Sequence, residues 1–270
     1  MLLIPLLMAA QQVDKPADRA HSSIDTRSSI NSGVAGPPSP EEVRYHDCRQ
    51  LAASDPQQAE ARANQWRLDG GGFVAQQCLG MAYANEGKWQ AAAAEFAAAA
   101  QSAQARHDDR AASYWAETGN ARLAAGDASG ARAALDAALA AGTLDERQRA
   151  EARLDRARAL VVIGNLPQAR ADLDQALEVV PQDSLAWLLS ATLARRMGDL
   201  ARAHKDIAEA EKRAPDSAPV ELEAGNIAAM SSDQAGAKAA WQRAVTLSPN
   251  SDAGHSAAQA LQQFDASATP

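Results

Sequence analysis

Residues 150–251 read AEARLDRARALVVIGNLPQARADLDQALEVVPQD, then SLAWLLSATLARRMGDLARAHKDIAEAEKRAPDS, then APVELEAGNIAAMSSDQAGAKAAWQRAVTLSPNS, three successive lengths of 34. Set one beneath another, they repeat. Ala169, Ala203 and Ala237 coincide, as do Leu173, Ile207 and Trp241. Ala176, Ala210 and Ala244 form a third column, and Pro181, Pro215 and Pro249 a fourth. A fixed period in this range is the mark of a repeat array, in which each unit buries its apolar face only against its neighbours.

Within Ser184–Ser217 the columns are spaced as helix, turn, helix. Trp187, Ala191 and Ala194 recur at helical spacing, Gly198-Asp199 interrupts them, and Ala203, Ile207 and Ala210 resume. Small residues at contact positions let two helices approach closely, and a larger residue four places on fills the gap beside them. Glycine past the first helix supplies the left-handed backbone of a tight turn. Proline ends the second helix because it has no N–H to donate.

This pattern resembles the tetratricopeptide repeat, whose marks are Trp, Leu-Gly, Tyr, Gly, Ala, Phe, Ala and Pro at fixed places in a 34-residue unit. Phe73–Arg106 carries Leu79, Gly80, Tyr83, Gly87, Ala92, Phe96 and Ala99 on those places, and Ala112–Asp145 carries Trp115, Gly119, Gly126, Ala131, Leu135 and Ala138. The turn glycines Gly87, Gly126, Gly164 and Gly198 are spaced 39, 38 and 34, so the first two joins carry extra residues. These are expected at His107–Ala111 and Glu146–Arg149, as lengthened helix ends. Five repeats then cover 73–251, divided 73–106, 112–145, 150–183, 184–217 and 218–251. The resemblance implies an all-α helical-hairpin solenoid, a right-handed superhelix with capping helices at both ends. It departs at Arg153 and Glu221, where Trp is expected, and at Ser232, where the turn glycine is expected. Looser joints are expected there.

Composition agrees with close-packed helices. Hydrophobic residues make up 46% but aromatics only 4%, much of the apolar share being alanine, the strongest helix former. No alternating β-branched runs bounded by turn residues occur, so no sheet is expected. The repeat favours a single elongated domain over separate globules. A net charge of −8 argues against nucleic acid as the principal ligand.

The chain starts MLLIPLLMAA. This apolar run, Met1–Ala10, ends in small residues, as a secretory signal does, though no Lys or Arg precedes it. It is too short to span a bilayer. Gln11–Pro38 is polar and reads as a disordered tether. Residues 39–72 read as an N-terminal capping pair of helices, near Pro40–Ala53 and Pro56–Leu68. Ser39-Pro40-Glu41-Glu42 opens the first with a capping box, Asp55-Pro56 opens the second, and Gly70-Gly71-Gly72 stops it. At the other end Ala253, Ala257, Leu261 and Phe264 form the stripe of a C-terminal cap, within 252–270.

Cys48 and Cys78 are the two cysteines of the chain. Export would place them where a disulfide persists; otherwise they are two small buried hydrophobes.

No catalytic constellation emerges. GHSAA at Gly254–Ala258 lacks both the fifth-place glycine and the strand of a nucleophile elbow, leaving Ser256 a helix-surface residue. The five histidines are scattered, without a His-x-x-x-His pair or a cysteine cluster, so no metal or other cofactor is expected. Asp172 and Asp174 lie two apart and read as solvated charges. His204-Lys205-Asp206 reads as an exposed charged turn of helix.

The family resemblance implies a concave face lined by the first helix of each repeat. Its outward places fall on Met81, Asn85, Asn120, Leu123, Arg158, Val161, Thr192, Arg195, Arg196, Asn226 and Met230. Asparagine can hydrogen-bond a peptide backbone, Arg158 and Arg195 a carboxylate, and methionine offers adaptable apolar contact. The expected protein is a non-catalytic adaptor in the bacterial cell envelope, periplasmic or secreted, holding a protein or peptide. The lysines of a carboxylate clamp are missing from the matching places, so chaperone C-termini are not expected partners. A cytosolic interaction module and, more remotely, an envelope hydrolase are the alternatives, and self-association stays open.

Overall fold

A computed structural model of the chain describes residues 38–267. The signal-like stretch Met1–Ala10, the tether Gln11–Pro38 up to its last residue, and residues 268–270 lie outside the described residues. The described residues form helices and turns, with no strand among them. Contacts group them into two compact units, one within Lys15–Asn165 and one within Leu166–Pro270. The sequence reads as a single elongated domain, yet the division falls inside its third 34-residue length. In a repeat array each hairpin touches only its neighbours, so no core spans the whole chain.

The first unit contains α1 (Pro40–Ser54), α2 (Pro56–Leu68), α3 (Gly72–Asn85), α4 (Trp89–Ala105), α5 (Ala111–Ala124), α6 (Ala128–Ala140) and α7 (Glu146–Val162). The second contains α8 (Leu166–Val179), α9 (Ser184–Arg196), α10 (Leu200–Arg213), α11 (Ala218–Met230), α12 (Gln234–Leu247) and α13 (Asp252–Ser267). The start of α1 is the expected capping box: Glu42 N–H donates to Ser39 Oγ at 3.2 Å and Ser39 N–H to Glu42 Oε2 at 2.6 Å. Asp127, Asp199 and Asp233 start α6, α10 and α12, each accepting the backbone N–H three residues on. Each follows a turn residue of positive φ, namely Gly126, Gly198 and Ser232.

Ser232 corrects an expectation. With φ +64° it takes the backbone conformation of the turn glycines, so that joint has the same geometry as the others. Glu221, in place of tryptophan, is buried and accepts from Arg243 of α12 at 2.9 Å. An ion pair there replaces the aromatic packing. The extra residues also differ from expectation at one join. Glu146–Arg149 do lengthen a helix, the start of α7. At the other, α4 ends at Ala105 and α5 begins at Ala111, and the residues between form a turn with His107 at φ +56°.

Packing within hairpins follows from side-chain volume. Had Gly80, Gly119 and Gly225 a Cβ, it would lie 2.6 Å from Phe96, 2.5 Å from Leu135 and 2.4 Å from Trp241. Each large residue sits sixteen places after its glycine. In α9 and α10 the pair at the same places is Ala191 with Ile207, a slightly larger first residue against a smaller second. The core is thus assembled from alanine and glycine surfaces indented by one bulky side chain per hairpin.

In the first unit α2 packs on α3, and Cys48 of α1 and Cys78 of α3 are disulfide-bonded with Cα atoms 6.1 Å apart. In the second, α13 packs on α11 and α12, with Phe264 edge-on to Trp241 at 6.0 Å.

Candidate functional site

The first helices of the hairpins carry the expected partner-facing residues. In the first unit these helices are joined by side-chain hydrogen bonds. Gln77 Nε2 of α3 donates to Glu117 Oε1 of α5 at 2.7 Å. Asn120 Nδ2 of α5 donates to Asp155 Oδ2 of α7 at 3.1 Å, and Arg158 Nη1 donates to Asp155 Oδ1 at 3.0 Å. The second unit repeats the device. Arg195 of α9 donates to both oxygens of Glu223 of α11, from Nε at 2.6 Å and from Nη2 at 3.2 Å. Asn226 Nδ2 donates to Glu223 Oε2 at 3.3 Å, and its own oxygen accepts from Trp241 Nε1 at 3.2 Å.

Arg158 is therefore corrected. It was expected to face solvent and pair with a ligand carboxylate, but it is only 8% exposed and is neutralised by Asp155. Arg195 and Asn120, though half-buried, spend hydrogen-bonding groups on neighbouring repeats, and Asn226 spends its own within its hairpin. Met81 is half-buried and packs against the cores around Cys48 and Phe96. Asn85 is exposed, its amide donating to Met81 O in its own helix. Leu123, Val161 and Thr192 are half-buried. Arg196 is exposed, and Met230 is 41% exposed.

The three acids Glu117, Asp155 and Glu223 were missed as site-forming residues. No motif contains them. Their signal is positional: each is the sixth residue of its 34-residue length. A carboxylate there meets a donor from the preceding repeat.

Two charged clusters are also corrected. Asp206 is 2% exposed, accepts from Ser190 Oγ and pairs with Arg202 at 3.2 Å. Asp172 is buried, and Asp174 pairs with Arg170 at 3.0 Å and with Arg202. Arg170 Nη2 donates to Ser190 Oγ at 2.8 Å, closing a ring of five side chains across α8, α9 and α10. The ring underlies an open groove of about 720 Å³ edged by Leu177, Trp187 and Lys205. With two arginines against two aspartates its charges balance.

Among the described residues no group of three or more His, Cys, Asp or Glu could hold a metal ion. No described helix is long and apolar enough to cross a membrane.

Residues 122–193 match the family model described as Tetratricopeptide repeat. That stretch is similar to tetratricopeptide repeats, and the helical-hairpin fold of the described residues is of the same kind. No curated protein matches the chain. Among solved structures, pilF of Pseudomonas aeruginosa superposes with a TM-score of 0.65 at 16% identity, over 85% of this chain and 100% of its own. PilW, a widely conserved type IV pilus biogenesis factor, gives 0.65 at 20% identity, over 78% of this chain and 97% of its own. YrrB, a tetratricopeptide repeat protein with an unusual peptide-binding site, gives 0.54 at 18% identity, over 74% and 99%. At these identities the likeness is one of fold.

Proposed function

We propose that this protein is a non-catalytic scaffold whose first helices hold a peptide or protein partner, and that it works in the bacterial cell envelope. Folds alike in their whole length include a pilus biogenesis factor and a peptide binder, which supports an interaction role. The observation that carries the surface is the contrast on α9 and α11. Arg195 and Asn226 are bonded internally, whereas Arg196 is turned to solvent and Met230, its sulfur in contact with Arg195 Nη1, is still 41% exposed. Met230 offers apolar contact that adapts to its ligand, and Arg196 favours an acidic or carboxylate-bearing one. Thr192 of α9 belongs to the same proposal, and Asn85, Leu123 and Val161 are the corresponding places on the first helices of the other unit.

Affinity capture tests the surface. Tagged wild type and an Arg196→Glu/Met230→Glu form are used in parallel on an envelope extract, with thermal midpoints matched to show that both fold. A protein held by the first and lost by the second supports the assignment; equal capture by both removes it.

Export rests on Met1–Ala10 and on the cysteine pair, because a disulfide persists in an oxidising compartment. N-terminal sequencing of the protein from its host tests this part. Cleavage near Ala10 with no free thiols supports export. An intact Met1 with Cys48 and Cys78 reduced supports a cytosolic interaction module instead.

A further inference from the structure

Helix α1 is weakly held. Of its fifteen residues Cys48 and Ala52 alone are buried. Tyr45 is partly buried against the Phe73–Tyr114 cluster, and an exposed pair joins Glu41 to Arg110 at 3.7 Å. The strongest attachment is the bond from Cys48 to Cys78 of α3. An element with so little apolar burial opens at low local cost.

Close to α1 lies a carboxyl group in an unusual position. Glu117 Oε1 accepts from Gln77, while Oε2 is enclosed with no hydrogen-bond partner among the described residues. The groups acting on this carboxyl are Gln77 of α3 and Arg49 of α1. The carboxyl in turn acts on the hydroxyls of Tyr45 of α1, which is within hydrogen-bonding reach of Gln77, and of Tyr114 on its own helix; Arg110 acts on both tyrosines. Burial outweighs the help of Gln77 and Arg49 and pushes the Glu117 carboxyl up to about 7. As a neutral acid it fits its enclosure. As a carboxylate it leaves an oxygen without water or donor, which is costly in a low-dielectric site.

We propose that α1 is a latch on the N-terminal repeats, locked by the Cys48–Cys78 bond and, once that bond is reduced, released by loss of the proton from Glu117. Lifting α1 lets water reach Oε2 and uncovers Phe73, Gln77 and Cys78 of α3. Reduction consumes two electrons and two protons from a dithiol, which leaves as its own disulfide, and gives two thiols. While the bond is intact, α1 is tethered three residues from Tyr45 and cannot lift away. The latch stands apart from the partner surface on α9 and α11 and does not depend on it.

Hydrogen exchange of the full chain tests the latch, read on peptides covering residues 40–54 at pH 5 and pH 7.5 after correction for intrinsic rates. In the oxidised protein their protection should change little. In the Cys48→Ala/Cys78→Ala form, opening should rise by up to about fifty-fold between the two pH values, the limit set by a carboxyl moving between its ordinary range when open and near 7 when closed. Peptides of α9–α12 should hold their protection. Adding Glu117→Gln should abolish the pH dependence and keep α1 protected at both values. Wild type reduced with a phosphine, which is used should the alanine form not fold, must behave as that form does. Equal protection at both pH values in the bond-free protein overturns the proposal. So does α1 open at both, or a pH dependence that survives Glu117→Gln.

Discussion

Arg195 grips Glu223 across neighbouring repeats by a two-pronged contact, Nε to Oε1 at 2.6 Å and Nη2 to Oε2 at 3.2 Å. Glu223 is buried, so its charge is tolerable only because this arginine and Asn226 answer it. Arg195→Ala should cost about 2–3 kcal/mol, below the full cost of breaking a buried pair because Arg195 is itself a fifth exposed. Replacing both partners by methionine should recover most of that loss. Urea midpoints of the three variants decide the matter. If Arg195→Ala is neutral, the contact is an ornament of the surface and Arg195 is free for a ligand after all. Arg196→Glu, one residue on and exposed, should change the stability by less than about 0.5 kcal/mol.

Glycine and bulk are matched within hairpins, and the match can be reversed. Gly225→Ala would put a methyl 2.4 Å from the Trp241 ring, which must shift. The loss should be roughly 1–3 kcal/mol. In a Trp241→Ile background, which recreates the pairing of Ala191 with Ile207, the same change should be neutral or stabilising, since alanine then gains about 1 kcal/mol of helix propensity. A double-mutant cycle measures the coupling. Additive effects would mean that the ring moves aside without cost.

Much of the fold is legible because a 34-residue period repeats the same packing problem. The columns at Ala169, Leu173, Ala176 and Pro181 and their partners mark helix faces, and Gly126-Asp127 and Gly198-Asp199 mark turn and cap together. Ser232 shows where local reading fails. Serine is a poor choice for positive φ, but the helices on either side impose it. The surface was less legible for a different reason. Repeat position gives the direction of a side chain, which made Arg158 and Arg195 look alike, both outward. Whether an outward arginine stays in water depends on which carboxylate it meets, and that is Asp155 on its own helix in one case and Glu223 of the next repeat in the other. Asp206 misled in the same way, its neighbours His204 and Lys205 being exposed while it is not.

Strain at Ser232 gives a substitution of known sign. Left-handed backbone costs an L-residue about 1–2 kcal/mol, and glycine escapes it while adding freedom to the unfolded chain. Ser232→Gly should therefore stabilise by a net of about 0.5 kcal/mol. Gly198→Ala, at φ +80° with nothing near the added methyl, should destabilise by about 1 kcal/mol through backbone conformation alone. Thermal midpoints moving in opposite directions are the expected result. A fall for Ser232→Gly would show that the serine side chain contributes more than its backbone costs.

Glu117 makes stability depend on pH with a definite sign. Its carboxyl is near 7 when folded and in the ordinary range near 4.5 when unfolded, so folding takes up a proton between those values. The stabilisation is complete below about pH 4.5, falls as pH rises towards 7 and is lost above it. The total is on the order of 3 kcal/mol, from a shift of about two and a half pH units. Ordinary paired carboxylates do the opposite, weakening the fold as pH falls. Difference curves between wild type and Glu117→Gln isolate the one group from the many. The glutamine form should gain on wild type as pH is raised from 5 to 7.5 and hold a constant lead above that. A difference that stays flat from pH 4.5 to 8 would mean that Glu117 is ionised in the folded chain, with water reaching Oε2.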